Sequence, residues 1–149
     1  MQHPPGTASI ELRFRVRAAP VSVAEARRRV SALNDLPDRI LRDVQLVVSE
    51  LLTNALLHAG LDDDDLIDVA LRREGEHVEV EVSHRIGLFG ETGKPSRADA
   101  IGLRILDAIC DHWHSHAGRA IATIPIQPWQ HPGRAAGPNR VADRSRCSC

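Results

Sequence analysis

The chain has 149 residues, 42% hydrophobic and 26% charged, the balance of an ordinary soluble domain large enough for one core. Its 19 basic and 20 acidic residues nearly cancel, so no global field points to nucleic acid or an anionic membrane. No apolar run approaches the roughly 20 residues that span a bilayer, and the start MQHPPGTASIELRF has neither the charged nor the apolar section of a signal peptide. Cys147 and Cys149 are too close in sequence for a good structural disulfide, and Cys110 lies in an apolar stretch, so a cytoplasmic, reducing setting is the expectation.

Residues 1–9 read as a flexible N-terminus. Residues 10 to 17, IELRFRVR, alternate apolar and charged side chains and predict a strand with one buried face. Ser22 with Glu25 three residues on forms a capping box, so a helix is expected from there to about Asn34. Pro37 suits the first turn of a second helix, running to His58, and Gly60 its stop. LDDDD lacks the alternating ligands and distant glutamate of a calcium loop and reads as a solvated turn. Residues 66 to 73 and 77 to 84 alternate on either side of a glycine turn and predict an antiparallel hairpin. RIGLFGETGKPSRAD is a loop with three glycines. AIGLRILDAICDHW returns to helical period, and residues 119 to 126 make a last strand after the Ala117-Gly118 turn. Residues 127–149, with four arginines against one aspartate, read as a disordered basic tail.

Within the second helix, SELLTNALLHAG places Glu50, Asn54 and His58 at every fourth residue. Positions so spaced drift only about 40° each, so the three share one face of an otherwise greasy helix. A carboxylate near an interior is costly unless it is paired, hydrogen-bonded or turned to a wet cleft. The pattern alone fits either a solvent-facing stripe or a working row.

Two other motifs compete for attention. GLFGETGK fails as a P-loop, because Leu88 stands where the first glycine belongs and Pro95 where serine or threonine belongs. His112, His114 and His116 alternate, so in an extended strand they would share one side. A zinc site needs a fourth ligand and a second shell besides, which no cysteine spacing here demands.

VVSELLTNALLHAG resembles the N-box of the GHKL ATPase superfamily, and SELxTNAxxHA more narrowly resembles the anti-sigma-factor serine kinases and related ATP-binding regulators. The likeness spans roughly residues 10 to 126. It implies a Bergerat-type α/β two-layer sandwich: a mixed, mostly antiparallel sheet covered on one face by about three helices. It further implies Mg-ATP as cofactor, with Asn54 as the magnesium ligand and Glu50 as the general base that polarises the nucleophile. His58 would cap the helix or pack against the lid. Gly87 would be the first glycine-box residue, Lys94 or Arg97 would reach phosphate from a mobile lid, and Gly102 with Leu103 would form the second glycine box. His84 stands where the family has an aspartate that accepts the adenine amino group, and Ala100 stands where the second box has its first glycine. Thr123 is the one candidate for the family's polar threonine in the last strand. Asp111 and Trp113 resemble the family's D-x-W end to the third helix, with Trp113 as a core anchor.

The implied activity is a serine/threonine protein kinase that phosphorylates a STAS-type antagonist and binds a sigma factor, with no direct nucleic-acid or membrane contact. A homodimer is left open. The departures at His84 and Ala100 motivate an alternative, a nucleotide-independent binding module of the same fold.

Overall fold

The backbone of β1 (Glu11–Arg17) shows why the alternation in the sequence matters: Val16 is buried and Leu12 and Phe14 half-buried, while Glu11, Arg13, Arg15 and Arg17 are exposed. The same two-residue period runs through β2 (Leu66–Glu74), β3 (His77–His84) and β5 (Arg119–Pro125). With β4 (His112–His116) these strands form a five-stranded sheet in the order β1-β2-β3-β5-β4. Every neighbouring pair is antiparallel, so the sheet is antiparallel throughout its described strands rather than mixed. The computed structural model describes residues 11–85 and 97–127. The expected flexible start, nearly all of the basic tail and most of the glycine-bearing loop therefore lie outside the described residues.

Three helices, α1 (Val21–Ser31), α2 (Asp38–His58) and α3 (Arg97–Ile109), complete the two-layer sandwich. The inward rows of the sheet, including Ile67, Val69, Leu71, Val78, Val80, Val82, Ala122 and Ile124, are buried. They share one core with Ala26 and Val30 of α1, with Ile40, Val44, Val47, Val48, Leu51, Leu52 and Ala55 of α2, and with Leu106 of α3. Each valine, leucine or isoleucine among them, fully buried, contributes about 1.5–3 kcal/mol relative to leaving it in water. Glu50 and Asn54 sit on the helix that supplies most of the helical side of this core, which holds their backbone rigid. α1 is fastened to α2 by Gln45, whose Nε2 donates to Ser31 Oγ at 2.6 Å. Arg29 of α1 lies over the Phe14 ring at 5.2 Å and ties the same helix to β1.

Local signals held where the chain itself closes the structure. Pro37 precedes α2 as its N-cap, and Gly60 follows the Ala59 cap at φ +61°, the left-handed conformation that ends many helices. Gly75, at φ +58°, closes the hairpin in which Glu74 pairs with His77. The capping box did not form. Pro20 is the N-cap of α1, so Ser22 falls inside the helix, buried, and makes no capping hydrogen bond. Glu25 instead accepts from Arg29 Nη2 at 2.6 Å, one turn on.

The largest correction concerns residues 110 to 116. The expected helix through Trp113 stops at Ile109, because Asp111 N–H donates to Thr123 O at 2.9 Å and carries the chain onto β5. HWHSH becomes β4, an edge strand, with its histidines paired to Thr123, Ile121 and Arg119. Trp113 is half-buried against the core from this strand rather than from a helix end, and its Nε1 donates to Asp107 Oδ1 at 2.9 Å.

The β4–β5 turn places Ala117 at φ 49° and Gly118 at φ 76°. A two-residue hairpin turn with both central φ positive favours Asn-Gly or Gly-Gly, and an alanine there is strained. Ala117→Gly is expected to stabilise the fold by about 0.5 kcal/mol, the left-handed penalty removed less the entropy glycine loses. Urea unfolding of the two proteins checks this, and a destabilised variant would contradict the turn geometry.

Candidate functional site

Glu50 and Asn54 are half-buried on α2, in the row expected from their spacing. Glu50 faces α3 at Gly102, which is buried. A Cβ built on Gly102 would collide with Glu50 Oε2 and stand 3.5 Å from its Cδ. The carboxylate therefore occupies the space a side chain at position 102 would take, and the two helices approach this closely because 102 is glycine. Asn54 follows one turn along α2, about 40° round the axis.

Among the described residues, neither the Glu50 carboxylate nor the Asn54 amide is engaged by another side chain in a hydrogen bond or ion pair, and no buried side-chain polar atom lacks a partner. Their polar atoms are thus reached by solvent while their stems are covered. Solvent contact of that kind makes a half-buried carboxylate tolerable. The Asn54 amide oxygen is a hard donor of the kind a magnesium ion takes when phosphates and water supply its remaining ligands, which leaves the Glu50 carboxylate free. The residues present fit that cofactor.

The other expected site residues distribute unevenly. Leu103 follows Gly102 on α3 and is half-buried. Because α3 begins at Arg97, Gly102 lies beyond its first turn, and the unpaired helix-start amides belong to residues further upstream. His84 closes β3, half-buried, and its backbone N–H donates to Gly118 O at 2.8 Å. Its Nδ1 lies 2.9 Å from Arg85 O, which can only accept, so Nδ1 donates in this contact and Nε2 is the nitrogen left for another partner. Arg85 is drawn toward the start of β2 by Asp65, at 2.7 Å. His58 ends α2, where a basic group suits the helix dipole. Gly87 and Lys94 lie outside the described residues.

Thr123 is not on the helix side of the sheet. It alternates with buried Ala122 and Ile124, and its Oγ1 meets His112 Nε2 at 3.2 Å on the opposite, open face. As a candidate for the family's polar threonine it is corrected. The alternation of β5 contained that information once the inward row was known. The juxtaposition of Gly102 with Glu50 had no local signal, since it joins residues far apart in sequence.

A cavity of about 450 Å³ lies on the open face, lined by Arg13, Arg15, Asp68, Ala70, Glu81 and Ser83 among others. Its charged groups are already matched: Arg15 binds Asp68 through two contacts at 2.7 and 3.3 Å, and Arg119 binds Glu81 through two at 2.9 Å. The Arg119 guanidinium beside it holds the Glu81 carboxyl below the usual carboxylate range. Arg72, between Glu79 and Glu81, extends the network across β2 and β3. These cross-strand pairs secure register. The Glu50 and Asn54 polar groups are on the other side, on α2.

Fold and site together define a class: an antiparallel sheet backed by helices, one of which presents a glutamate and an asparagine, a turn apart, to a glycine on the next. The sequence model of the histidine kinase-like ATPase domain matches residues 16–124, and the chain belongs to that family, within the GHKL superfamily. No curated protein gives a significant match. No helix among the described residues is long and apolar enough to cross a membrane.

Two outcomes test this geometry without any ligand. Gly→Ala inside a helix ordinarily stabilises by about 1 kcal/mol, but at Gly102 the new methyl meets the Glu50 carboxylate. Gly102→Ala should therefore gain little or nothing alone and recover the gain in a Glu50→Ala background, a coupling of about 0.5–1 kcal/mol in a double-mutant unfolding cycle. Strict additivity would contradict the close approach. Cys110 is half-buried at the end of α3, and burial, followed by Asp111, Asp107 and Asp43, pushes its thiol up to about 12. Its reaction with iodoacetamide at pH 8, read by peptide mass mapping, should be at least roughly a hundredfold slower than that of a surface thiol with pKa near 8.5.

Proposed function

We propose that the chain is an ATP-dependent serine/threonine protein kinase of the anti-sigma-factor type, which phosphorylates a STAS-domain antagonist and binds a sigma factor in its other state. The observation that carries this reading is the Glu50 carboxylate lodged against Gly102 with solvent reaching its oxygens, and Asn54 one turn on. The family supplies nucleotide chemistry, and the N-box spacing supplies the anti-sigma likeness.

Phosphoryl transfer demands positioning and charge neutralisation more than covalent chemistry from the protein. A substrate hydroxyl oxygen attacks the γ-phosphorus of ATP as the bond to the ADP oxygen breaks, and the hydroxyl proton passes to the Glu50 carboxylate. Asn54 holds the magnesium ion through its amide oxygen. When bound, that ion would offset the negative charge of the phosphates. Gly102 keeps the carboxylate in line by leaving it room. His84 Nε2 accepts from the base amino group in place of a carboxylate. Gly87 and Lys94 enter on the sequence alone, as a turn glycine and a phosphate contact.

A second reading is favoured by one specific feature: at His84 an imidazole, with one nitrogen already committed to Arg85 O, replaces a carboxylate. On that reading the chain binds its sigma factor or antagonist without regard to nucleotide.

Calorimetry with Mg-ATP and phosphotransfer to a STAS antagonist separate the two. For the kinase, Glu50→Gln should retain nucleotide binding while transfer falls at least about a hundredfold, the usual worth of general-base catalysis. Asn54→Ala should lose the magnesium-dependent part of the affinity. Absence of binding at millimolar nucleotide, with partner binding indifferent to ATP, would replace the first reading by the second.

A further inference from the structure

On the open face, β4 presents His112, His114 and His116 in one exposed column at the edge of the sheet. Alternate residues of a strand stand about 6.6 Å apart along it, within reach of one ion held between two imidazoles. Imidazole nitrogens suit the late first-row divalent ions. Neither the phosphoryl-transfer chemistry nor the core uses these side chains.

The register decides which pair is suited. His112 lies opposite Thr123 and His114 opposite Ile121, both uncharged. His116 lies opposite Arg119, whose guanidinium stays at that end of the strand, doubly bonded to Glu81. The Arg119–Glu81 ion pair occupies the His116 end, while His112 and His114 lie opposite uncharged residues. The Thr123 hydroxyl, 3.2 Å from His112 Nε2, makes a single exposed hydrogen bond, which is worth only about 1 kcal/mol and can be exchanged for a metal–nitrogen bond. No group of three His, Cys, Asp or Glu among the described residues is placed to hold a metal jointly, so the coordination is by two imidazoles with water completing the shell.

We propose that His112 and His114 of β4 form a surface chelate for a late first-row divalent cation such as Ni²⁺, Zn²⁺ or Cu²⁺. A bound ion gives this edge strand fixed positive charge where other proteins place lysine against edge-to-edge pairing.

Redox-inert Ni²⁺ is the probe for the full chain, because its paramagnetism reports location and separates β4 from cysteine or histidine ligands elsewhere. Substoichiometric Ni²⁺ is expected to broaden the NMR signals of His112, His114, Thr123 and Ile121 first. Zn²⁺ should compete the broadening away. His112→Ala or His114→Ala should weaken the ion at β4 at least about tenfold, the loss that even outer-shell changes produce. His116→Ala should leave it unchanged. The three positions are exposed, and circular dichroism confirms that each variant keeps its fold. Wild-type protein with no broadening on β4, or a loss in His116→Ala equal to that in His112→Ala, would overturn the proposal.

Discussion

Among the described residues no cation stands beside the half-buried Glu50 carboxylate, which rests in a gap in the side-chain surface of α3. Gly102 is that gap. Glu50 could otherwise turn outward into water, as most exposed glutamates do, and the row it heads would be an ordinary polar stripe. In this structure the carboxylate lies in that gap instead, with solvent still reaching its oxygens. The core beneath makes this arrangement rigid: Val47, Val48, Leu51, Leu52 and Ala55 lock α2 onto the sheet around the positions of Glu50 and Asn54. The greasy character of the helix and its polar row are therefore parts of one device. Burial of one face supplies the rigidity with which the other presents its oxygens.

The two faces of the sheet divide the work. The inward rows of β1, β2, β3 and β5 meet the helices and carry the core. The outward rows carry the ladder of arginines and carboxylates in which Arg15, Asp68, Arg72, Glu79, Glu81 and Arg119 pair across strands. Pairs as exposed as Arg15–Asp68 add little stability, about 0–1 kcal/mol each. Their value is register, since a one-residue slip would set charged side chains against apolar ones and turn the valine rows to water. This face also ends in the histidine column of β4, whose chemistry is separate from that of the α2–α3 cleft.

Much of this was legible because it depends on local period. Strand alternation in ELRFRVR and HVEVEVSH, the long apolar face of α2, and glycines at 60 and 75 all report directly on backbone and burial. The N-box row was equally legible, as residues four apart on a helix must share a face. What escaped depends on partners distant in sequence. HWHSH has a strand period, yet the apolar period of the preceding segment argued for more helix. The hydrogen bond from Asp111 N–H to Thr123 O decided between them. Ser22 and Glu25 have the spacing of a capping box, but Pro20 begins the helix first. Thr123 could be assigned to a face only after its inward neighbours were known. The meeting of Gly102 with Glu50 joins α3 to α2 and had no signature in either stretch alone.

The central claim is that Glu50, Asn54 and Gly102 form one wall of a magnesium-nucleotide cleft. Mapping amide chemical shifts on addition of Mg-ATP tests it most directly, because the response locates the ligand as well as detecting it. The account predicts shifts concentrated at residues 50–54 of α2, on α3 around Gly102 and at His84, with the open face of β1 and β2 undisturbed. Saturable shifts confined to Arg13, Arg15 and Asp68, or none at millimolar nucleotide, would contradict it.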